Sequence, residues 1–171
     1  VSGLGSTWGN KFKVSLFGES HGNGIGAVID GLPAGIDIDL KRVQRELNRR
    51  AARGNPLATP RKEGDQIEVL SGIFNGKTTG APLAGLIRNE NTRSGDYAKT
   101  KDLMRPGHAD YAANARYGGF QDYRGGGHFS GRLTAPLVFA GAIASQLLAQ
   151  QGVSIHAHIQ QIGTIQDRPF E

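Results

Sequence analysis

The 171-residue chain carries 20 lysines and arginines against 15 aspartates and glutamates, a net charge of +5, with 37% apolar residues and no cysteine. That length and apolar content supply the core of one domain and argue against disorder, and the lack of cysteine excludes disulfide frameworks and thiolate metal sites. No apolar run nears the ~18 residues that span a bilayer, so no membrane is expected, and the polar first ten residues lack a signal peptide's charged start, which predicts a cytoplasmic protein.

The positive charge suits nucleic acid or small anions. Aromatic residues make up only 7% of the chain, and the arginines stand beside glycines and at element boundaries instead of along one helical face. That distribution favours phosphate or carboxylate pockets over a nucleic-acid-binding module, the rival binding reading. Part of the basic set also reads as ordinary solvated surface.

Residues 11–17 and 25–29 read as strands, and between them Gly18-Glu19-Ser20-His21-Gly22 sets a serine and a histidine in a glycine-rich turn. Backbone without Cβ atoms bends sharply and approaches a ligand closely, while the hydroxyl and imidazole project from it. The pattern also satisfies G-x-S-x-G, so a serine esterase using Ser20 is the rival enzyme reading. An elbow of that kind needs a helix directly after the serine, and Gly22, Gly24 and Gly26 oppose one. The glycines lead into a strand, which is not the order of a dinucleotide fingerprint.

Asp39 then reads as the cap of a helix with Leu40, Val43 and Leu47 on one face and Arg49 and Arg50 in its last turn, where cations oppose the dipole favourably. Residues 51–64 hold two prolines and no periodicity, a loop whose arginines, Arg53 among them, are placed to cover a ligand. Residues 66–79 read as a hairpin, with one strand over 66–74, a turn at Asn75-Gly76 and a return through Lys77-Thr78-Thr79. The near-match of this segment to a P-loop fails on its spacing and on the absence of a following helix.

Residues 82–87 read as a strand, 88–105 as a polar connection, and 109–117 as a helix with His108 at its start, where the dipole favours a nearby anion; a plain turn residue is the alternative. Gly125-Gly126-Gly127 leads through Ser130 and Arg132 into an apolar helix over 134–150, capped by Thr134 and closed by Gly152. Its apolar residues cover so much of the circumference that it belongs in the middle of the protein. The glycines, serine and arginine ahead of it make a candidate anion site. Residues 153–159 alternate as a strand with His156 and His158 on one face, which without a third ligand reads as a solvated face and not a metal site.

Taken together these segments resemble the chorismate synthase family. The resemblance rests on Phe17-Gly18-Glu19-Ser20-His21-Gly22 with Asp30-Gly31-Leu32-Pro33-Ala34-Gly35, on Thr59-Pro60-Arg61-Lys62-Glu63 through Leu70-Ser71-Gly72-Ile73-Phe74 and Lys77-Thr78-Thr79-Gly80, and on Arg93-Ser94-Gly95-Asp96-Tyr97. It continues in Arg105-Pro106-Gly107-His108-Ala109-Asp110-Tyr111 and in Tyr123-Arg124-Gly125-Gly126-Gly127 with Ser130-Gly131-Arg132. It implies a lyase that makes chorismate by anti-1,4-elimination of phosphate from 5-enolpyruvylshikimate-3-phosphate, with reduced FMN required and NADPH as a possible reductant, in the shikimate pathway of aromatic amino acid biosynthesis.

By the same resemblance His21 acts as an acid at the departing phosphate and His108 protonates or balances charge on the reduced flavin. Ser20, Arg50 and Arg132 hold the substrate, Arg49 and Arg53 are weaker candidates for that pocket, and His128, Phe129 and Ser130, with Arg50, belong to the FMN site. The implied fold is α+β, a β-α-β sandwich with helices between antiparallel sheets, assembled as a homotetramer. Family members are longer and carry a C-terminal Arg-Ser-Asp motif whose aspartate helps remove the C6 proton. This chain has no match to it and reads as the N-terminal portion of one catalytic domain, incomplete for catalysis alone. It also has His128-Phe129 where many relatives have Arg-Ser, and Pro56 where an arginine is common.

Overall fold

Ile25, Ala27 and Ile29 alternate along one strand and Leu83, Gly85 and Ile87 along another, and the two sets meet across an antiparallel ladder, Ile25 opposite Ile87, Ala27 opposite Gly85 and Ile29 opposite Leu83. Each set lies on one face of the sheet because side chains alternate with a period of two, and all six residues are buried. The computed structural model describes residues 5–51, 64–90 and 102–169. Its principal sheet is antiparallel, in the order β1 (Thr7–Trp8), β2 (Lys13–Gly18), β3 (Gly24–Asp30), β7 (Leu83–Arg88) and β4 (Ile67–Ser71).

Helix α1 (Leu40–Arg50) packs on α3 (Thr134–Ala149), and α3 lies against β3 and β7. Val43 and Leu47 of α1 and Phe139 and Ile143 of α3 are completely buried, each contributing about 2 kcal/mol of hydrophobic stabilisation. Phe139 fits because β7 has a glycine beneath it: a Cβ on Gly85 would lie 2.5 Å from the Phe139 ring. Asp39 caps α1 as expected, its carboxylate accepting the Arg42 N–H at 3.0 Å. That backbone hydrogen bond holds the Asp39 carboxyl below its ordinary value. Gln146 of α3 pins the same helix start, accepting the Asp39 N–H at 2.8 Å.

These layers bear out the α+β expectation, with α3 against an antiparallel sheet and α1 packed on α3. Several details differ. The expected strand over 66–74 is broken at Gly72, whose φ is +88°; β4 pairs with β7, while only β5 (Ile73–Phe74) turns back onto β6 (Lys77–Thr78) through Asn75 and Gly76. Helix α3 is buried on one side only, and Leu137 is 45% exposed. Thr134 does not cap α3: its hydroxyl donates to the Gly131 carbonyl at 2.6 Å, and Ser130 instead accepts the Arg132 N–H one turn earlier.

Residues 153–159 form no strand and are exposed, because alternation alone does not hold a strand that has no neighbouring ladder. The two-stranded ribbon β8 (Gln161–Ile162) and β9 (Ile165–Gln166) follows them. The stretch Arg124–Ala149 is apolar and long enough to resemble a membrane span, but its first turns are broken by left-handed glycines and only the 16 residues of α3 are continuous α-helix. At 1.5 Å per residue these reach roughly 24 Å, short of the ~30 Å hydrocarbon core.

Candidate active site

The turn between β2 and β3 is closed by the Gly22 N–H, which donates to the Glu19 carbonyl at 3.1 Å. Ser20 is buried, and its N–H donates to the Gly127 carbonyl at 3.0 Å. A nucleophile elbow displays its serine at an exposed strand-to-helix corner. Here the serine is covered and a strand follows, so the esterase reading does not fit.

Gly125, Gly126 and Gly127 all have positive φ (56°, 84° and 53°), a conformation that side chains disfavour. They also leave room for two imidazoles. A Cβ on Gly125 would lie 2.4 Å from His21 Nδ1, and one on Gly126 would lie 2.4 Å from His108 Cε1 and 2.8 Å from its Nε2. Two histidines from distant segments thus rest on consecutive glycines, which no local spacing announces.

His108 precedes α2 (Asp110–Tyr117), and its Nδ1 lies 2.7 Å from Asp110 Oδ1. Arg105 Nη2, which can only donate, lies 3.2 Å from the same Nδ1, so that nitrogen sits between a donor and an acceptor while Cε1 and Nε2 face Gly126. Arg105 grips the same carboxylate through Nε at 2.7 Å and Nη2 at 2.8 Å. Those hydrogen bonds hold the Asp110 carboxyl well below the usual carboxylate range. Arg124 grips Asp122 in the same bidentate way, at 2.8 Å on each oxygen. It lowers the Asp122 carboxyl likewise, with a smaller contribution from His21.

Arg50 and Arg132 come together around an aspartate to which the motifs assign no role. Asp65, fully buried, accepts from Arg50 Nη1 at 2.6 Å through one oxygen and from Arg132 Nη1 through the other. Arg50 Nε donates to Thr134 Oγ1 at 3.0 Å, and Arg132 Nε to Asn89 Oδ1 at 3.2 Å. Asn89 also escaped the sequence reading. Its Nδ2 donates to the Glu19 and Gly22 carbonyls at 2.9 Å each, tying Arg132 to the Ser20-His21 turn. Arg49 does not join this group: it is on the surface, 2.7 Å from Glu46 one turn back. Arg53 and the other residues of the expected covering loop from 52 to 63 lie outside the described residues.

His128 acts as a strut. Its Nδ1–H donates to the Gly18 carbonyl at 2.8 Å, which leaves Nε2 to meet the Ser6 hydroxyl at 2.7 Å. Phe129 packs edge-on to it and tilted against Tyr117, and lines two clefts. One, of about 490 Å³, is bounded by Phe17, Tyr117, Phe120 and His128; the other, of about 350 Å³, by Met104, Arg105, Asp110 and Gly126. The aromatic cleft also presents the Glu19 and Asp122 carboxylates, and the Arg105 guanidinium belongs to the other. Among the described residues no group of three histidines or carboxylates is placed to hold a metal ion; His158 meets Asp167 at 3.1 Å instead, and His156 is exposed.

A family model described as chorismate synthase matches residues 12–171. The chain is 52% identical over 160 residues to a chorismate synthase of Aeropyrum pernix, covering 94% of this chain and 42% of that protein. It is 50% identical over 166 residues to one of Aliarcobacter butzleri, covering 97% and 46%. The chain spans less than half the length of these curated relatives. A solved structure described as a crystal structure of chorismate synthase superimposes with a TM-score of 0.60 at 31% identity, over 84% of this chain and 36% of that one.

Proposed function

The chain belongs to the chorismate synthase family, and from that premise we propose that it builds much of the site of a lyase converting 5-enolpyruvylshikimate-3-phosphate to chorismate and phosphate. In that reaction the C3–O bond to phosphate and the C6–H bond break, and a second ring double bond forms. The observation that carries the reading is the link from the Ser20-His21 turn through Asn89 to Arg132. It joins the turn that carries Ser20 and His21 to the arginine pair, which supports reading an imidazole, a hydroxyl and guanidiniums as the set that serves a phosphate leaving group.

In this assignment Arg50 and Arg132 bind the anionic groups of the substrate, and Ser20 fixes the turn against Gly127. His21 delivers a proton to the departing phosphate oxygen. Phe129, with Tyr117 and Phe17, holds the flavin ring, and His128 keeps Phe129 in place. Reduced FMN, when bound, supplies an electron-rich ring for a reaction that is redox neutral overall. His108 holds a proton at Nε2 to balance the charge of such a ring, its orientation set by Asp110. NADPH as reductant, a cytoplasmic location, a second sheet over the exposed side of α3 and a homotetramer belong to the same proposal, the second sheet being supported by the exposure of Leu137.

The test is an anaerobic absorbance titration with reduced FMN, with and without 5-enolpyruvylshikimate-3-phosphate, followed by an assay for chorismate. Substrate-dependent perturbation of the flavin spectrum is expected from this chain. Its absence from both this chain and one extended to the length of the relatives would sink the reading.

A further inference from the structure

Asp65 is a buried carboxylate that the chemistry above does not use. It lies between α1 and β4 with φ +46°, a left-handed conformation rare for a residue with a side chain. Gln44 of α1 enforces that conformation from both sides, its Nε2 donating to the Asp65 carbonyl at 3.0 Å and its Oε1 accepting the Ile67 N–H at 3.2 Å. The carboxylate is thereby aimed at Arg50 and Arg132, which come from α1 and from the turn before α3. Two guanidiniums so close would repel and splay without an anion between them. With one oxygen on each, Asp65 leaves the trio one net positive charge and both forks in a single setting.

We propose that Asp65 is the positioning residue that forms Arg50 and Arg132 into one anion-binding unit. The inference rests on the reading of these arginines as the site for the substrate's anionic groups. It carries a sign opposite to simple electrostatics. Removing a negative charge from beside two arginines should tighten phosphate binding if charge alone matters. If position matters more, binding weakens although the site has become more positive. Because the Asp65 side chain is completely buried, on the protein side of the better exposed Arg50, an incoming anion adds to the trio and does not replace the carboxylate.

The experiment is a titration of the chain with inorganic phosphate, read by the arginine Nε–H resonances of Arg50 and Arg132, in the native chain and in Asp65→Asn and Asp65→Glu variants whose folding is checked by circular dichroism. In the native chain both resonances should shift together with one dissociation constant. Both variants should bind about tenfold more weakly, the scale of one lost charge-assisted hydrogen bond. Should Asp65→Asn fail to fold, Asp65→Glu decides, since it keeps the charge and moves the carboxylate. Native or tighter affinity in a folded variant would overturn the positioning role and leave the anion site intact. No response of either arginine in the native chain would overturn the anion-site reading and this inference with it.

Discussion

His21 and His108 rest on adjacent glycines, His21 on Gly125 and His108 on Gly126, each imidazole occupying space that a Cβ would fill. The two rings come from a β-turn and from the start of a helix, and the left-handed triplet is the common floor that brings them to one place.

Gly126→Ala should therefore displace His108 and strain the backbone at φ +84°, destabilising the chain by roughly 1–3 kcal/mol. Urea unfolding measures the loss, and the ring resonances of His108 should move more than those of His128. An unchanged midpoint and unchanged resonances would show that the rings do not depend on this floor.

Asp110→Asn should alter the pH dependence of stability in acid. Arg105's hydrogen bonds depress the Asp110 carboxyl in the folded chain, so between the unfolded and folded values the unfolded chain binds the extra proton. The resulting stabilisation is complete above about pH 4 and is lost as pH falls further, through the depressed value. Thermal midpoints between neutral pH and strong acid should fall more steeply for the native chain than for the variant; parallel curves would exclude this contribution.

Arg49→Ala and Arg50→Ala, at adjacent positions, should differ sharply. Arg49 makes a surface pair with Glu46, so its loss should change stability by less than about 0.5 kcal/mol. Arg50→Ala removes one partner of the buried Asp65 carboxylate, which should cost on the order of 3 kcal/mol. Denaturant unfolding of the two variants under one set of conditions makes the comparison, and equal losses would contradict the buried ion triad.

Phe139→Ala should leave a cavity over Gly85, where the sheet has no side chain with which to fill it. A loss of roughly 3–5 kcal/mol is expected, with a lower thermal midpoint. A loss below about 1 kcal/mol would mean that α3 does not seat on β7 through this ring.

The elements with strong local signals were legible: the alternation of β3 and β7, the Asp39 cap and apolar face of α1, the Asn75-Gly76 turn, and the start of α2 after His108. The break at Gly72 was not, because a left-handed residue that separates β4 from β5 is decided by which neighbour each segment pairs with. Residues 153–159 show the converse, an alternating pattern left without a partner strand.

Histidines, a serine and arginines among glycines already name the chemistry available and the family to which that pattern belongs. Where those groups stand was settled by the folded chain. It put His128 to work as a strut, left Arg49 at the surface, and made Asp65 and Asn89 the residues that join Arg50, Arg132 and the Ser20-His21 turn. The physical reason is that a buried charge must find its counter-charge wherever the chain brings one, and such partners, far apart in sequence, leave no periodicity or spacing to read.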